Sequence, residues 1–111
     1  MGTTAIPQGG VQIVSVDGDL VAATVPQFRK TVEGLVKRDE RDYVIDMSTT
    51  TALDSAGLEA LTWLARTCEE RLGNVRLCSV GATFKTILKM TRLTGRFECF
   101  SSAADAVASF G

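Results

Sequence analysis

Residues 43–58 read YVIDMSTTTALDSAGL, and this stretch decides the fold that we expect. Its first part, residues 43–47, is a short and mostly apolar run that predicts a buried strand, bounded by the polar residues 48–51. Beyond the serine, apolar residues recur at the spacing of a helix face turned toward a core: Leu58, Leu61, Leu64, Ala65, Cys68 and Leu72. The stretch therefore predicts a strand that leads into a long amphipathic helix.

Ser55 lies where this predicted helix begins. Asp54 is a favourable N-cap residue, because its carboxylate can accept a hydrogen bond from an unpaired amide of the first turn. Gly57 allows neighbouring backbone to approach closely. The functional interpretation is a serine that a partner protein can contact or a kinase can phosphorylate. The simpler alternative is an ordinary helix start, since Asp and Ser are preferred at any such position.

The rest of the chain alternates between strand and helix patterns. Further strands are expected at residues 1–10 (an edge strand followed by a turn), 11–16, 75–80 and 97–100. The first helix is expected to have Thr24 as its N-cap and Pro26 in its first turn, and to end near Lys37. A shorter helix from Thr83 and a terminal helix capped by Ser102 follow. This alternation predicts an α/β fold with a mixed, mostly parallel sheet of about four to five strands packed against about four helices.

Length and charge limit the classes of function. A chain of 111 residues can bury one hydrophobic core, so we expect a single domain over residues 1–111. The 12 basic and 13 acidic side chains nearly balance, so the protein has no strong net charge of either sign. We therefore expect neither a nucleic-acid partner nor insertion into a membrane. No apolar stretch approaches the roughly 18 residues of a membrane span, and no signal peptide is recognisable. We therefore expect a cytoplasmic protein.

The chain contains no histidine, which removes the usual general base, the Ser-His-Asp triad and most zinc sites. No phosphate-binding glycine loop is present either. We therefore expect no enzymatic activity and no cofactor. An alternative is that Asp46 and Asp54 meet at the end of a strand and bind a hard cation such as magnesium. A further alternative is a nucleotide bound by Asp46, Asp54 and the basic residues of segment 85–96.

Three cysteines, Cys68, Cys78 and Cys99, each fall within an apolar pattern and form no close pair in the sequence. Buried free thiols are therefore expected rather than a disulfide framework, which fits a reducing compartment.

The strand and helix start, VIDMS followed by LDSAGL (residues 44–48 and 53–58), resemble the signature of the STAS-domain family, specifically the bacterial anti-sigma factor antagonists. Residues 18–20, GDL, are similar to that family's entry to the first helix, so we expect a passage from strand to helix after Asp17 rather than a hairpin. Residues 88–93 and 97–106 resemble two later family segments, so the similarity spans nearly the whole chain.

The resemblance implies a non-catalytic STAS domain that acts as an anti-sigma factor antagonist. Its unphosphorylated form would bind an anti-sigma factor that is also a serine protein kinase, and so release a sigma factor. Phosphorylation at Ser55 would end that binding, and a PP2C-type phosphatase would restore it. The partner-binding residues implied are Asp19, Asp54, Ser55, Ala56, Gly57 and Leu58. The alternative is a STAS subunit of another complex, such as a lipid-transport ATPase assembly.

Four features depart from the family pattern or stand outside it. Val21 replaces a common aspartate near the phosphoacceptor, and Arg92 replaces a glycine. The basic residues Lys85, Lys89, Arg92 and Arg96 would form one stripe if the helix continued that far, either as a solvated helix face or as a docking strip for an acidic partner or a phosphate. We interpret Trp63, the single tryptophan, as half-buried packing rather than a binding anchor.

Overall fold

The computed structural model describes residues 2–93 and 95–110, so Met1 of the predicted edge strand lies outside the described residues. Its strands are β1 (Gly2–Gln8), β2 (Val11–Leu20), β3 (Asp42–Asp46), β4 (Thr50–Leu53), β5 (Asn74–Cys78) and β6 (Glu98–Phe100). Its helices are α1 (Val25–Lys37), α2 (Ser55–Glu70), α3 (Ala82–Met90) and α4 (Ala103–Ala108). Among the described residues, no helix combines the length and the apolar composition that crossing a membrane requires.

The six strands form one sheet in the order β1-β2-β3-β5-β6, with β4 paired to β2 beyond the end of β3. Only the pair β1 and β2 is antiparallel, and the other described pairs are parallel. The predicted mixed, mostly parallel α/β sheet is therefore confirmed, as is the passage from β2 to a helix instead of a hairpin at Asp17.

Strand β4 adds one strand to the number expected, and its first two residues belong to the polar segment 48–51 expected to bound β3. It exists because β2 is ten residues long and its far end has no pairing with β3. There Gly18 pairs with Thr50 and Leu20 with Leu53, and the Thr50 hydroxyl donates to the Val16 carbonyl over 2.9 Å. A tertiary contact thus makes a strand from residues with only moderate local preference for one.

The sheet has a large core on one face and a small one on the other. Alternating strand residues separate the two faces, as the neighbours Val44 and Ile45 show by lying in different clusters. The larger core holds the apolar faces of α1, α2 and α3, and the smaller one is closed by α4. On that second face the Arg76 guanidinium lies 3.9 Å from the centroid of the Phe110 ring, a cation–π contact.

The end of α2 corrects the expected core face, because Leu72 is 88% exposed and does not belong to the core. The helix ends at Glu70, and Leu72 adopts a φ of +61°. The Leu72 and Gly73 amides donate back to the carbonyls of Glu69 and Cys68, which is the Schellman arrangement. Gly73 is required next to it, because a Cβ there would overlap the Arg41 carbonyl oxygen.

The three predicted N-cap positions are confirmed, and two of the three side chains make a capping hydrogen bond. The Asp54 and Ser102 side chains accept hydrogen bonds from the amides three residues ahead, at 2.9 Å and 3.1 Å. Thr24 precedes α1, but its side chain makes no capping bond. Its backbone is already helical, so its hydroxyl turns back, donating to the Asp19 carbonyl (2.8 Å) and accepting from the Val21 amide (3.0 Å).

Candidate functional site

Ser55 is the first residue of α2 and is exposed to solvent. It follows β4, which places it at the edge of the sheet where the parallel strands end. Ala56 and Leu58 are half-buried and Gly57 is buried, so the serine is the exposed residue of the segment from Asp54 to Leu58. A hydroxyl at this position is accessible to another protein.

Asp54 links the start of α2 to the loop before α1. One carboxylate oxygen accepts a hydrogen bond from the Gly57 amide (2.9 Å), and the other accepts one from the Ala22 amide (3.0 Å). These backbone donors, with Gly57 first and Ala22 second, hold the pKa of Asp54 below its usual value. Since Asp54 already accepts from the first turn of the helix, the Ser55 hydroxyl is not needed as a cap.

Gly57 sits where two elements nearly touch. A Cβ at this position would overlap the carbonyl oxygen of Leu20 and approach the Leu53 side chain to 2.8 Å. The ends of β2 and β4 are therefore held against the first turn of α2, and the sequence-based expectation of close backbone approach is confirmed.

Asp19 lies near the end of β2, the strand that pairs with β4, and is exposed. Its carboxylate accepts a 2.6 Å hydrogen bond from the Thr51 hydroxyl of β4. Strand β4 therefore connects Asp19 to the residues 54–58, and all six residues implied as partner-binding lie along one edge of the sheet. Val21, where the family often has aspartate, is half-buried in the adjoining loop.

Sequence reasoning missed a groove that begins at Ser55. This cavity of about 460 Å³ is lined by Ser55, Leu58, Glu59, Thr62, Trp63, Arg66, Thr91 and Leu93. Six of these residues lie on one flank of α2, at steps of three and four residues. This spacing was visible in the sequence next to the spacing of the buried face. Trp63 is half-buried and packs against the core, as expected, and its exposed part lines the groove.

The arrangement gives little support to the cation or nucleotide alternative. Asp46 accepts a hydrogen bond from the Ser48 amide (3.0 Å), and both Asp54 oxygens accept from backbone amides. Within residues 2–93 and 95–110, no group of three or more His, Cys, Asp or Glu side chains could hold a metal ion.

The basic stripe is also not continuous. Helix α3 ends at Met90, so only Lys85 and Lys89 share a helix face. Arg92 lies in the turn with a φ of +61°, and Arg96 bonds Glu69 of α2 at 3.4 Å. The condition for a single stripe, a helix reaching residue 96, is not met.

Comparison with solved structures shows the same fold in other proteins. An anti-sigma factor antagonist from Mycobacterium paratuberculosis superposes with a TM-score of 0.87 and 23% identity, over 96% of this chain and 91% of that chain. The Bacillus cell fate determinant SpoIIAA in its phosphorylated form gives a TM-score of 0.80 and 14% identity, over 99% of this chain and 100% of that one. The murine anion transporter Solute Carrier 26 family member A9 matches with a TM-score of 0.76 and 25% identity, over 93% of this chain but 18% of the transporter.

None of the curated proteins matches the sequence. The family model of the STAS domain does match, over residues 4–106, which is most of the chain. Together with the sheet order and the position of the DSAGL segment at a helix start, this match means that the chain belongs to the STAS domain family.

Proposed function

We propose that this protein is an anti-sigma factor antagonist controlled at Ser55. Its unphosphorylated form binds an anti-sigma factor that is also a serine protein kinase, and a sigma factor is released. Phosphorylation of Ser55 ends the binding, and a PP2C-type phosphatase reverses it. The protein then acts by binding and not as an enzyme, and it works in the cytoplasm.

The observation that carries the proposal is the exposed Ser55 hydroxyl directly after the Asp54 cap. Because Asp54 already occupies the Gly57 and Ala22 amides, a phosphate on Ser55 has no need to displace a structural contact. The phosphate would bring about −1.5 to −2 charges next to the Asp54 carboxylate. The positive end of the α2 dipole offsets this only by about 0.3–1 kcal/mol, so the domain tolerates the group.

Binding responds differently from folding. Burying a dianion against a partner surface shaped for a hydroxyl costs on the order of several kcal/mol, and each ~1.4 kcal/mol is tenfold in affinity. The intermolecular cost exceeds the intramolecular gain. Phosphorylation would therefore lower affinity strongly without changing the fold.

The test is to incubate the protein with ATP and each purified anti-sigma factor kinase from the same genome, and then to measure intact mass. Wild type should gain the mass of one phosphate, and Ser55→Ala should gain none. A PP2C-type phosphatase should remove the phosphate. If no kinase modifies the wild type, or if Ser55→Ala is modified equally, the proposal is wrong.

A second candidate is a STAS subunit of a larger assembly, such as a lipid-transport ATPase complex. The same fold forms one part of a much longer anion transporter chain, which supports a role within a transport assembly. In that case Ser55 would stay unmodified by the kinases, and the protein would co-purify stably with the ATPase.

A further inference from the structure

The groove beside Ser55 has two walls of different origin. Along α2, Ser55, Leu58, Glu59, Thr62, Trp63 and Arg66 form one wall. The other wall is the turn after α3, with Thr91 and Leu93. Ser55 itself lines the groove, so anything bound there would be adjacent to the proposed phosphate.

Trp63 gives the groove an amphipathic centre. The Arg29 guanidinium lies 4.4 Å from the centroid of its ring, a cation–π contact. The tryptophan is only half-buried, and the described residues provide no hydrogen-bond acceptor for its indole N–H. A large, partly exposed aromatic ring with a free donor is the type of residue that contributes most at protein interfaces.

Charge differs between the two ends of the groove. Glu59 lies one helical turn from Ser55, so the serine end carries the Asp54 and Glu59 carboxylates. Arg66 is two turns further along, about 10 Å at a rise of about 1.5 Å per residue. It is exposed and has no carboxylate partner among the described residues, and Arg29 over Trp63 adds a second cation.

We infer that this groove receives a segment of the anti-sigma factor in which an apolar side chain is followed by a carboxylate. The apolar side chain packs against Trp63, Leu58 and Leu93, and the carboxylate faces Arg66. The inference rests on the proposed function, because it names the surface that the same partner contacts. Phosphate on Ser55 would place a dianion beside Glu59 at the end of the groove that the segment has to cover, and the cost of desolvating that dianion would weaken the contact.

The test uses the purified anti-sigma factor kinase that modifies Ser55, with its affinity for each variant measured calorimetrically in the absence of ATP. Arg66→Glu reverses an exposed charge in the groove and should weaken binding by about tenfold or more. Trp63→Ala should weaken it by a similar factor, and Trp63→Phe by less, because the phenyl ring keeps the packing. Lys85→Glu makes the same charge reversal at an exposed position outside the groove, and should leave the affinity unchanged.

Trp63 fluorescence also reports whether the groove is occupied, because Trp63 is the single tryptophan of the chain. Its fluorescence should shift to shorter wavelength when a kinase variant that contains no tryptophan is added. The same addition should cause no shift when Ser55 is phosphorylated beforehand. Melting curves of Arg66→Glu and Trp63→Phe separate lost binding from lost folding.

The outcomes distinguish the two proposals. If the kinase binds wild type and releases it on Ser55 phosphorylation, but Arg66→Glu and Trp63→Ala bind equally well, the groove is not the docking surface and the proposed function stands. A fluorescence shift that depends only on the concentration of this protein would mean that a second copy occupies the groove, which also overturns the inference. If no anti-sigma factor kinase binds the wild type, both proposals are wrong.

Discussion

At the residue scale, Asp54 and Ser55 have different roles. The Asp54 carboxylate holds the backbone, and the Ser55 hydroxyl is exposed to solvent. Asp54 makes both contacts that the loop and helix require, with the Ala22 and Gly57 amides. Ser55 is therefore exposed, while its neighbour carries the structural role. This division explains how a charge can be added at residue 55 without loss of the fold.

Ser55→Asp should abolish binding to the anti-sigma factor while changing the free energy of unfolding by less than ~1 kcal/mol. A carboxylate in the first turn of α2 interacts favourably with the helix dipole, and the nearby Glu59 offsets this only in part. Urea denaturation and titration with the partner check both effects. Ser55→Ala is the matched control and should bind as wild type does; a collapsed unfolding transition in Ser55→Asp would instead mean that residue 55 is structural.

Gly57→Ala should lower the free energy of unfolding by about 1–3 kcal/mol, and Gly57→Val by more, because any Cβ overlaps the Leu20 carbonyl. Partner binding should weaken as well, since the loop beside Ser55 must shift. Gly34→Ala is the control, because Gly34 lies in α1 with no atoms near the added methyl group. There alanine should stabilise by about 0.5–1 kcal/mol. Equal effects at the two positions would contradict the close approach at Gly57.

At the element scale, three helices end on side chains where glycine is usual. The turns after α1, α2 and α3 place Asp39, Leu72 and Arg92 at φ values of +64°, +61° and +61°, and in each the next amide donates back to the helix. Left-handed backbone costs a residue with a Cβ roughly 1–2 kcal/mol. The Arg92 departure from the family glycine is therefore accepted at an energetic cost, and it leaves a cation beside the groove.

Leu72→Gly should raise the free energy of unfolding by about 0.5–1 kcal/mol, because glycine removes the strain while the unfolded chain gains some entropy. Little hydrophobic burial is lost, since Leu72 is 88% exposed. Leu72→Ala keeps a Cβ at the same φ and should give no such gain. Urea denaturation of the three proteins measures the difference, and a loss of stability in Leu72→Gly would show that the Leu72 side chain contributes packing.

At the scale of the whole molecule, the two cores give the cysteines different surroundings. Cys68 lies in the larger core and Cys78 in the smaller one, whereas Cys99 is half-buried at the edge strand β6. Burial raises the pKa of Cys68 to about 12 and that of Cys78 to about 11. The expected buried free thiols are confirmed for these two residues.

Native protein treated with iodoacetamide near pH 8 should therefore be alkylated first at Cys99, and all three thiols should react in urea. The thiolate is the nucleophile, so burial and a raised pKa both slow the reaction. Intact mass and peptide mapping follow the labelling. Cys99→Ser should stay unlabelled in the native state; rapid labelling of Cys68 or Cys78 in that variant would mean that the core opens readily.

Much of this protein could be predicted from the sequence, because the deciding signals are local. Apolar spacing, the Asp54 and Ser102 caps, and the DSAGL segment depend on neighbours within a few residues, so the α/β fold and the helix start at Ser55 followed from them. Features made by distant segments could not be predicted. Strand β4 needs the free end of β2, the Thr24 hydroxyl turns toward Asp19, and Gly73 lies against the Arg41 carbonyl where the chain leaves α2.

The groove is also made by distant segments of the chain, so it could not be predicted from the sequence. The α2 half of it follows the helical period, but its other wall is a turn some thirty residues further along the chain, and Arg29 of α1 covers Trp63. Periodicity within one helix says which side chains share a flank, and only the packing of α1 and the turn after α3 decides what that flank faces. The sequence by itself determined the fold class and the position of Ser55, and the tertiary structure decided which surface surrounds it.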